Sequence, residues 1–490
     1  MSRIPRTDQT SALLYHARSA SPFTSKDGQP CASVPAAFDS RNVLPIRSAA
    51  FRDWLTAAFY SEFELAPSPQ AFRSAIRVLE ARAKHGDFPS QKLDHRLGFE
   101  GDPYAPSKII LDLANPSGQV LEMDSHGWQI RDNMHHSFRQ CITTLAIPRP
   151  LAPPADQPDT STQALDQFAR LFMLDDSARA RVAAWSVSAL RPGGPYPILV
   201  LQGPSGSGKT TLARALRALI DPSPALVRRL PDRDEDLPAY AIDNWILAFD
   251  DAYKFSSKIA DALGAVTSGD AIRIPQPDMR DAIEIEIARP IVLIAPNDEG
   301  QPAWIPPRAL SHRTVTLQRP LIRRPHPERA IWSEFESLRP ALLATLAQAV
   351  VTALQRIRDI DLANVARFPD SAYWCAAAAP ALGLTEEKIV EAISDPAAMW
   401  LGADPLRDAL RNLLPPAAVW TGDATSLLNQ LRAVAPRAAL PPTPKALSQL
   451  LPGIFGFRVE RTRTEHGRTL NITRLPDLEQ EATAGHRNQS

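Results

Sequence analysis

Cysteine is scarce in this chain of 490 residues: Cys31, Cys141 and Cys375 stand far apart, and no two form a CxxC pair. That excludes a zinc ribbon and a disulfide framework, and leaves isolated thiols of a reducing compartment. Net charge is lacking too, with 54 Lys and Arg against 54 Asp and Glu. The whole molecule therefore does not announce nucleic acid or an anionic membrane, and any such contact must be local. No run approaches the ~18 apolar residues of a membrane span. Residues 1–30 mix Arg, Ser, Asp and Pro without the apolar stretch of a secretory signal. A soluble, cytoplasmic protein without membrane contact is expected.

What is present is length enough for two to four domains, each with its own core. The chain has 47 prolines, and they cluster in residues 148–154 and 436–444 between apolar segments, which marks boundaries. Residues 1–42 lack periodicity and read as a mobile tail. Phe51, Trp54, Leu55, Ala58 and Phe59, then Phe72, Ile76, Leu79 and Ala83, recur at helical spacing. Residues 108–114 and 119–124 alternate as strands around a turn cluster at 115–118, so residues 43–150 predict a small α+β domain. A linker and helical lead-in fill residues 151–192. A nucleotide domain spans 193–323 and a helical subdomain 324–403, the latter marked by Leu343, Leu346, Val350, Leu354 and Ile357. Over 404–475 the order is three helices and then a hairpin, residues 457–463 with 468–474, which is the order of a winged helix. Residues 476–490 read as a frayed tail.

The chemistry concentrates at Gly203-Pro204-Ser205-Gly206-Ser207-Gly208-Lys209-Thr210, followed by Thr211. Residues 197–201 are a buried-strand run before it, and Leu212, Leu216 and Ile220 give the segment after it a helical apolar face. Glycines there let backbone N–H groups turn inward around phosphate oxygens; Lys209 supplies a point charge and Thr210 a hydroxyl for Mg²⁺. A chance glycine loop would lack the strand, the Lys-Thr pair and the helix together. Such a loop needs a second strand ending in carboxylate, because Mg²⁺ takes oxygen ligands and the attacking water must be oriented. The apolar run 245–249 leads into Asp250 and Asp251. Asp250 is the candidate for the metal, Asp251 for the water.

Residues 265–313 resemble the superfamily 3 helicases of the AAA+ class, especially the primase-helicases of phages and plasmids. The resemblance rests on Ala265-Val-Thr-Ser-Gly-Asp270, Ile272-Arg273-Ile274, a tip with Arg280, the alternating strand over 282–287, Ile291-Val-Leu-Ile-Ala-Pro-Asn297, and Leu310-Ser-His-Arg313. It implies a hairpin whose basic residues, Arg273 and Arg280, touch single-stranded DNA. It implies a sensor at Asn297 and an arginine finger at Arg313 that acts on a neighbouring subunit of a homo-oligomeric ring. The wider chain, from Leu44 to Gly383, is similar to ATP-binding proteins of prophages and integrative elements through residues 194–201, Arg289-Pro290 and Gly127-Trp128. The primase half of the group is not evident, so priming would fall to a separate protein, in a bacterial host.

In the expected wing, Arg461, Arg463 and Arg468 suit phosphate contacts with duplex DNA, although winged helices also bind proteins. Asp112, Glu122, Asp124 and His126 alternate with apolar residues as a strand surface does, which argues against a metal site. The expected architecture is an α/β P-loop NTPase core of AAA+ type with an α+β N-terminal domain, a helical lid and a C-terminal winged helix. The expected activity is ATP hydrolysis with Mg²⁺, driving a DNA helicase or translocase in the replication of a mobile element. An ATP-dependent DNA-binding switch or loader that unwinds nothing stays open. A small-substrate kinase fits the loop but leaves Arg313 and the hairpin idle.

Overall fold

The computed structural model describes the chain except residues 1–5, 27, 36–40, 87–88, 134–135, 140, 142, 152–159, 253–255, 275–282, 297–309, 311, 323–325, 363–367, 395–404, 416–417, 436–442, 445–446, 449–450, 452–456, 465–466 and 475–490. It divides into two compact units, Met1–Asp395 and Pro396–Ser490.

The first unit opens with helix α1 (Arg6–His16) and an antiparallel sheet of β1 (Ser21–Thr24), β2 (Pro30–Pro35) and β3 (Arg41–Pro45). Helices α2 (Ala49–Phe63) and α3 (Pro69–His85) follow. Ser48 and Ser68 start them by accepting from the N–H three residues on, caps worth about 1 kcal/mol each. Leu13, Val34, Phe51 and Leu79 meet in one core. The described residues between 6 and 42 are thus not the expected tail: Leu13 and Cys31 are fully buried, and Cys31 pairs with Phe23 on one side and Pro45 on the other. Short strands made of Ser, Pro, Ala and Cys show no periodicity alone; their partners in β3 and α3 supply the order.

Two short parallel strands, β4 (Leu93–Asp94) and β9 (Ser137–Phe138), flank a meander of β5 (Leu97–Asp102), β6 (Ala105–Asp112), β7 (Gln119–Asp124) and β8 (Gly127–Asp132). The expected hairpin is present, with Ile110 opposite Glu122. Ile109, Leu111, Leu121 and Met123 of the meander join the same buried cluster as Trp185, Leu199 and Val292, so no core boundary falls at residue 150. Arg96 pins the two regions together. Its guanidinium, fully buried, bonds Asp221 at 3.1 Å and donates to the carbonyls of Asp112 and Leu145. Removing one partner of such a buried pair costs about 3–5 kcal/mol.

Helices α4 (Thr160–Leu171) and α5 (Asp176–Ser188) lead into the central sheet. Its elements in chain order are β10 (Ile198–Gly203), α6 (Lys209–Ile220), β11 (Arg228–Arg229), α7 (Leu237–Asp243), β12 (Leu247–Asp250), α8 (Ser257–Ser268), the hairpin β13 (Ala271–Ile274) with β14 (Ile283–Glu286), then β15 (Ile291–Pro296) and β16 (Thr314–Gln318). Five strands pair in the order β11-β12-β15-β10-β16, all parallel. β10 is buried along its whole length, as expected where helices cover both faces of a parallel sheet. Helices α9 (Glu328–Arg356), α10 (Pro369–Ala378) and α11 (Glu386–Ser394) complete the unit. By length and composition α9 could cross a membrane, but 67% of its most apolar window is buried inside the protein.

The second unit contains α12 (Pro405–Leu413), β17 (Val419–Gly422), α13 (Ala424–Val434), β18 (Phe457–Thr464) and β19 (Gly467–Arg474), with sheet order β17-β19-β18. Asp423 caps α13 by accepting from Thr425 and Ser426 N–H. Leu410, Leu427, Leu431 and Ile472 form its core. Much of the third helix expected over 444–451 lies outside the described residues, yet Leu447 and Leu451 donate to Thr443 and Leu447 carbonyls at the helical i→i−4 spacing. β17, only four residues long and without a pattern of its own, falls outside the sequence expectation.

Candidate active site

The turn between β10 and α6 is built by positive backbone angles that glycine adopts without strain: φ is 80° at Gly206 and 75° at Gly208. Gly203, at φ 159°, is required for a different reason, since a Cβ there would stand 2.3 Å from the carbonyl oxygen of Arg319. The helix begins at Lys209, so its first N–H groups face the loop, where an anion is favoured. Lys209 Nζ donates to the carbonyls of Gly203 and Pro204, both at 2.7 Å, and to Ser207 Oγ at 3.3 Å. The ammonium is thereby held over its own loop. Ser207 is buried, whereas Ser205 and Gly206 are exposed and Pro204 is half-buried; Thr210 and Thr211 lie half-buried on the first turn of α6.

Thr210 Oγ1 donates to Asp250 Oδ2 at 3.0 Å. Asp250 ends β12, and the sheet brings it to the same edge as the loop. Its other oxygen accepts the Asp251 N–H at 2.8 Å. Asp251 itself is left-handed, φ 56°, a conformation Asp tolerates better than most residues. Its carboxylate is exposed and lies 3.6 Å from Arg229 Nε, an ion pair at the surface that contributes little. Among the described residues no cluster of three or more His, Cys, Asp or Glu forms a metal cage. A hydroxyl with a single carboxylate fits Mg²⁺, which takes one or two protein oxygens and leaves its remaining positions to phosphate and water.

β15 lies between β10 and β12, and Pro296 is in register with Gly203. Asn297, the next residue, falls outside the described residues. Arg313 precedes β16 at the opposite end of the sheet, because Thr314 pairs with Ile198, the first residue of β10. One strand length, about 16 Å for five residues, separates it from the glycine loop of the same chain. Its Nη1 donates to Gly264 O at 3.1 Å and to Ser268 Oγ, both in the last turns of α8.

The hairpin forms with Arg273 opposite Glu284 and Ile272 opposite Ile285. Ile287 is buried while Glu284 and Glu286 are exposed, as the alternation predicts. Arg280 lies outside the described residues. In the C-terminal hairpin the register sets Arg463 opposite Arg468 and Arg461 opposite Leu470.

Arg319 belongs to no motif of the sequence. Buried just after β16, it donates from Nε to Ser207 O at 3.2 Å and from Nη1 to Met173 O at 3.3 Å. Burial lowers its pKa, against a raising influence from Asp175. It props the loop from beneath; only its position after the last strand signals this.

Residues 165–396, just under half of the chain, match the family described as the actinomycete integrative conjugative element replication protein. Among solved structures, the apo C-terminal region of NrS-1 is similar with TM-score 0.41 and 10% identity, covering 96% of this chain and 99% of that one. The SCCmec type IV Cch active helicase is similar with TM-score 0.42 and 13% identity over 84% of this chain and 77% of that one. The JCV helicase with a bound acetamide compound gives TM-score 0.23 and 15% identity over 46% and 75%. No curated protein matches the chain.

Proposed function

We propose that this chain is an ATP-hydrolysing DNA helicase or translocase that serves the replication of a mobile genetic element. The observation that carries the reading is the 3.0 Å contact between Thr210 Oγ1 and Asp250 Oδ2 beside a glycine-built loop. The match of residues 165–396 to conjugative-element replication proteins supports the replicative setting.

Backbone N–H groups of residues 205–211 cradle the phosphates of ATP, and Lys209 turns from its loop carbonyls to the β- and γ-phosphates. Thr210 and Asp250 would hold Mg²⁺, and the ion would supply positive charge beside the phosphates when bound. Asp251, exposed and weakly paired, orients the attacking water. Asn297, the residue after β15 in the chain, is assigned the γ-phosphate sensor role that the resemblance implies. Arg313 is too far from its own loop to serve it, so its partner is the nucleotide of the next subunit in a homo-oligomeric ring. Engagement exchanges two bonds to α8 for contact with phosphate. The AAA+ type core thus acts with the helical elements α9–α11 as a lid, Arg273 and Arg280 gripping single-stranded DNA, and Arg461, Arg463 and Arg468 of a winged helix meeting duplex phosphates.

The test is strand separation of a forked duplex with ATP and Mg²⁺, compared with a non-hydrolysable nucleotide. Unwinding only with ATP is expected. DNA binding that changes with nucleotide while the duplex stays intact would replace the helicase with a switch or loader.

A further inference from the structure

A cavity of about 370 Å³ opens where β4 and β5 meet the turn at residues 192–194 and the foot of the β13–β14 hairpin, all within the first unit. Pockets for small ligands span ~300–1,000 Å³. Its floor contains His95, 6% exposed, with neither ring nitrogen hydrogen-bonded among the described residues. A buried polar group without a partner asks for an explanation, and a ligand is one. The charged lining is Lys26, Lys92, Arg139 and Arg289 against Asp94 and Glu286. Lys92 bonds Asp94 at 2.8 Å and lies over the Phe99 ring at 3.4 Å; Arg139 reaches Asp243 at 3.2 Å and Gln29 at 2.9 Å. Arg289 is held by the carbonyls of Ala241, Asn244 and Ala288 and stacks on Trp245. Lys26 is exposed at the mouth.

We propose that this cavity binds one nucleotide, its phosphate at the cationic mouth and its base against His95 and Asp94. Phosphate offers only acceptors at neutral pH, so the lysines and Arg139 suit it. A base edge offers donors and acceptors together. Burial, with Asp221 opposing and Arg289, Arg96 and Arg139 adding to it, pushes the His95 pKa down to about 3. The neutral ring therefore presents one donor and one acceptor, and Asp94 can accept from an exocyclic amine. The same chemistry is met by a free mononucleotide or by one unit of a single strand. None of these residues belongs to the phosphate loop, so the inference does not rest on the ATPase reading. Occupancy would brace the foot of the hairpin through residues 286–289.

The experiment uses the full chain carrying Lys209→Ala, which disables the phosphate loop. Fluorescent deoxyadenosine monophosphate and a labelled deoxyadenylate strand of about six nucleotides, within the usual range of single-strand site sizes, are titrated in parallel. Saturable binding is expected, weakened about tenfold by His95→Leu through loss of the base-edge hydrogen bonds, and to a smaller extent by Lys26→Ala. Binding of both probes with these losses assigns a free nucleotide; binding of the strand alone with these losses assigns a unit of single-stranded DNA. If neither probe binds, or both variants bind as the parent does, the cavity is not a nucleotide site and His95 is satisfied by water. Should His95→Leu prove unstable, exposed Lys26 still decides between the outcomes, and unchanged affinity in Lys26→Ala overturns the proposal.

Discussion

Thr210 Oγ1 and Asp250 Oδ2 stand 3.0 Å apart although 40 positions separate them in the chain. The contact arises because α6 starts directly after the loop that follows β10, while β12 ends at the same edge of the parallel sheet with β15 between them. One group is neutral and the other anionic, so they do not repel, and both present hard oxygen. Two such oxygens on rigid elements are what the proposed Mg²⁺–nucleotide complex would require of the protein.

The trans role proposed for Arg313 predicts that Arg313→Ala keeps ATP affinity but loses turnover by about 10³-fold or more. Arg313→Ala and Lys209→Ala subunits, each inactive, should regain measurable phosphate release when mixed, because some interfaces then combine an intact loop with an intact arginine. No recovery in rings shown by mass to be mixed would leave Arg313 as a cap for α8, the role its bonds to Gly264 and Ser268 already serve.

Changing Arg273 and Arg280 together to Ala should leave basal ATP turnover near that of the parent, since neither belongs to the nucleotide loop. Stimulation by single-stranded DNA and unwinding should both vanish, while duplex binding persists. Retained stimulation and unwinding would remove the hairpin from the motor.

In the second unit, replacing Arg461, Arg463 and Arg468 by Ala should flatten the dependence of duplex affinity on salt by about one unit of slope per lost phosphate contact. An unchanged slope would point the hairpin toward a protein partner.

His95 predicts an acid sensitivity of folding. Its pKa falls from 6.5 to about 3 on burial, so between these values the unfolded chain binds the extra proton. The stabilising contribution is complete above 6.5 and is lost as pH falls toward 3. The denaturation free energy should therefore decline by up to about 1.4 kcal/mol per pH unit below about 6. His95→Leu should show a shallower decline over roughly pH 6.5 to 4.5; identical profiles would contradict the burial argument.

The strand, glycine turn and helix around Lys209 and Thr210 are legible in the sequence because they are contiguous. Asp250 and the hairpin are legible from apolar runs and alternation. Residues 6–45 are not, because β1, β2 and β3 owe their order to pairing such as Cys31 with Pro45, and Pro and Ser within them mimic a linker. The shared core of meander and nucleotide sheet is hidden for the same reason: Arg96 meets Asp221 across 125 positions. Arg319 and the cavity around His95 depend on how loops close in space, which no spacing in the chain encodes.

ATP hydrolysis at the loop between β10 and α6 is tested by phosphate release measured against single-stranded DNA concentration. The parent should turn over ATP with Mg²⁺ and accelerate with DNA, whereas Lys209→Ala, folded by its melting profile, should show no turnover at any DNA concentration. Equal phosphate release by parent and folded variant would place ATP turnover elsewhere than at this loop.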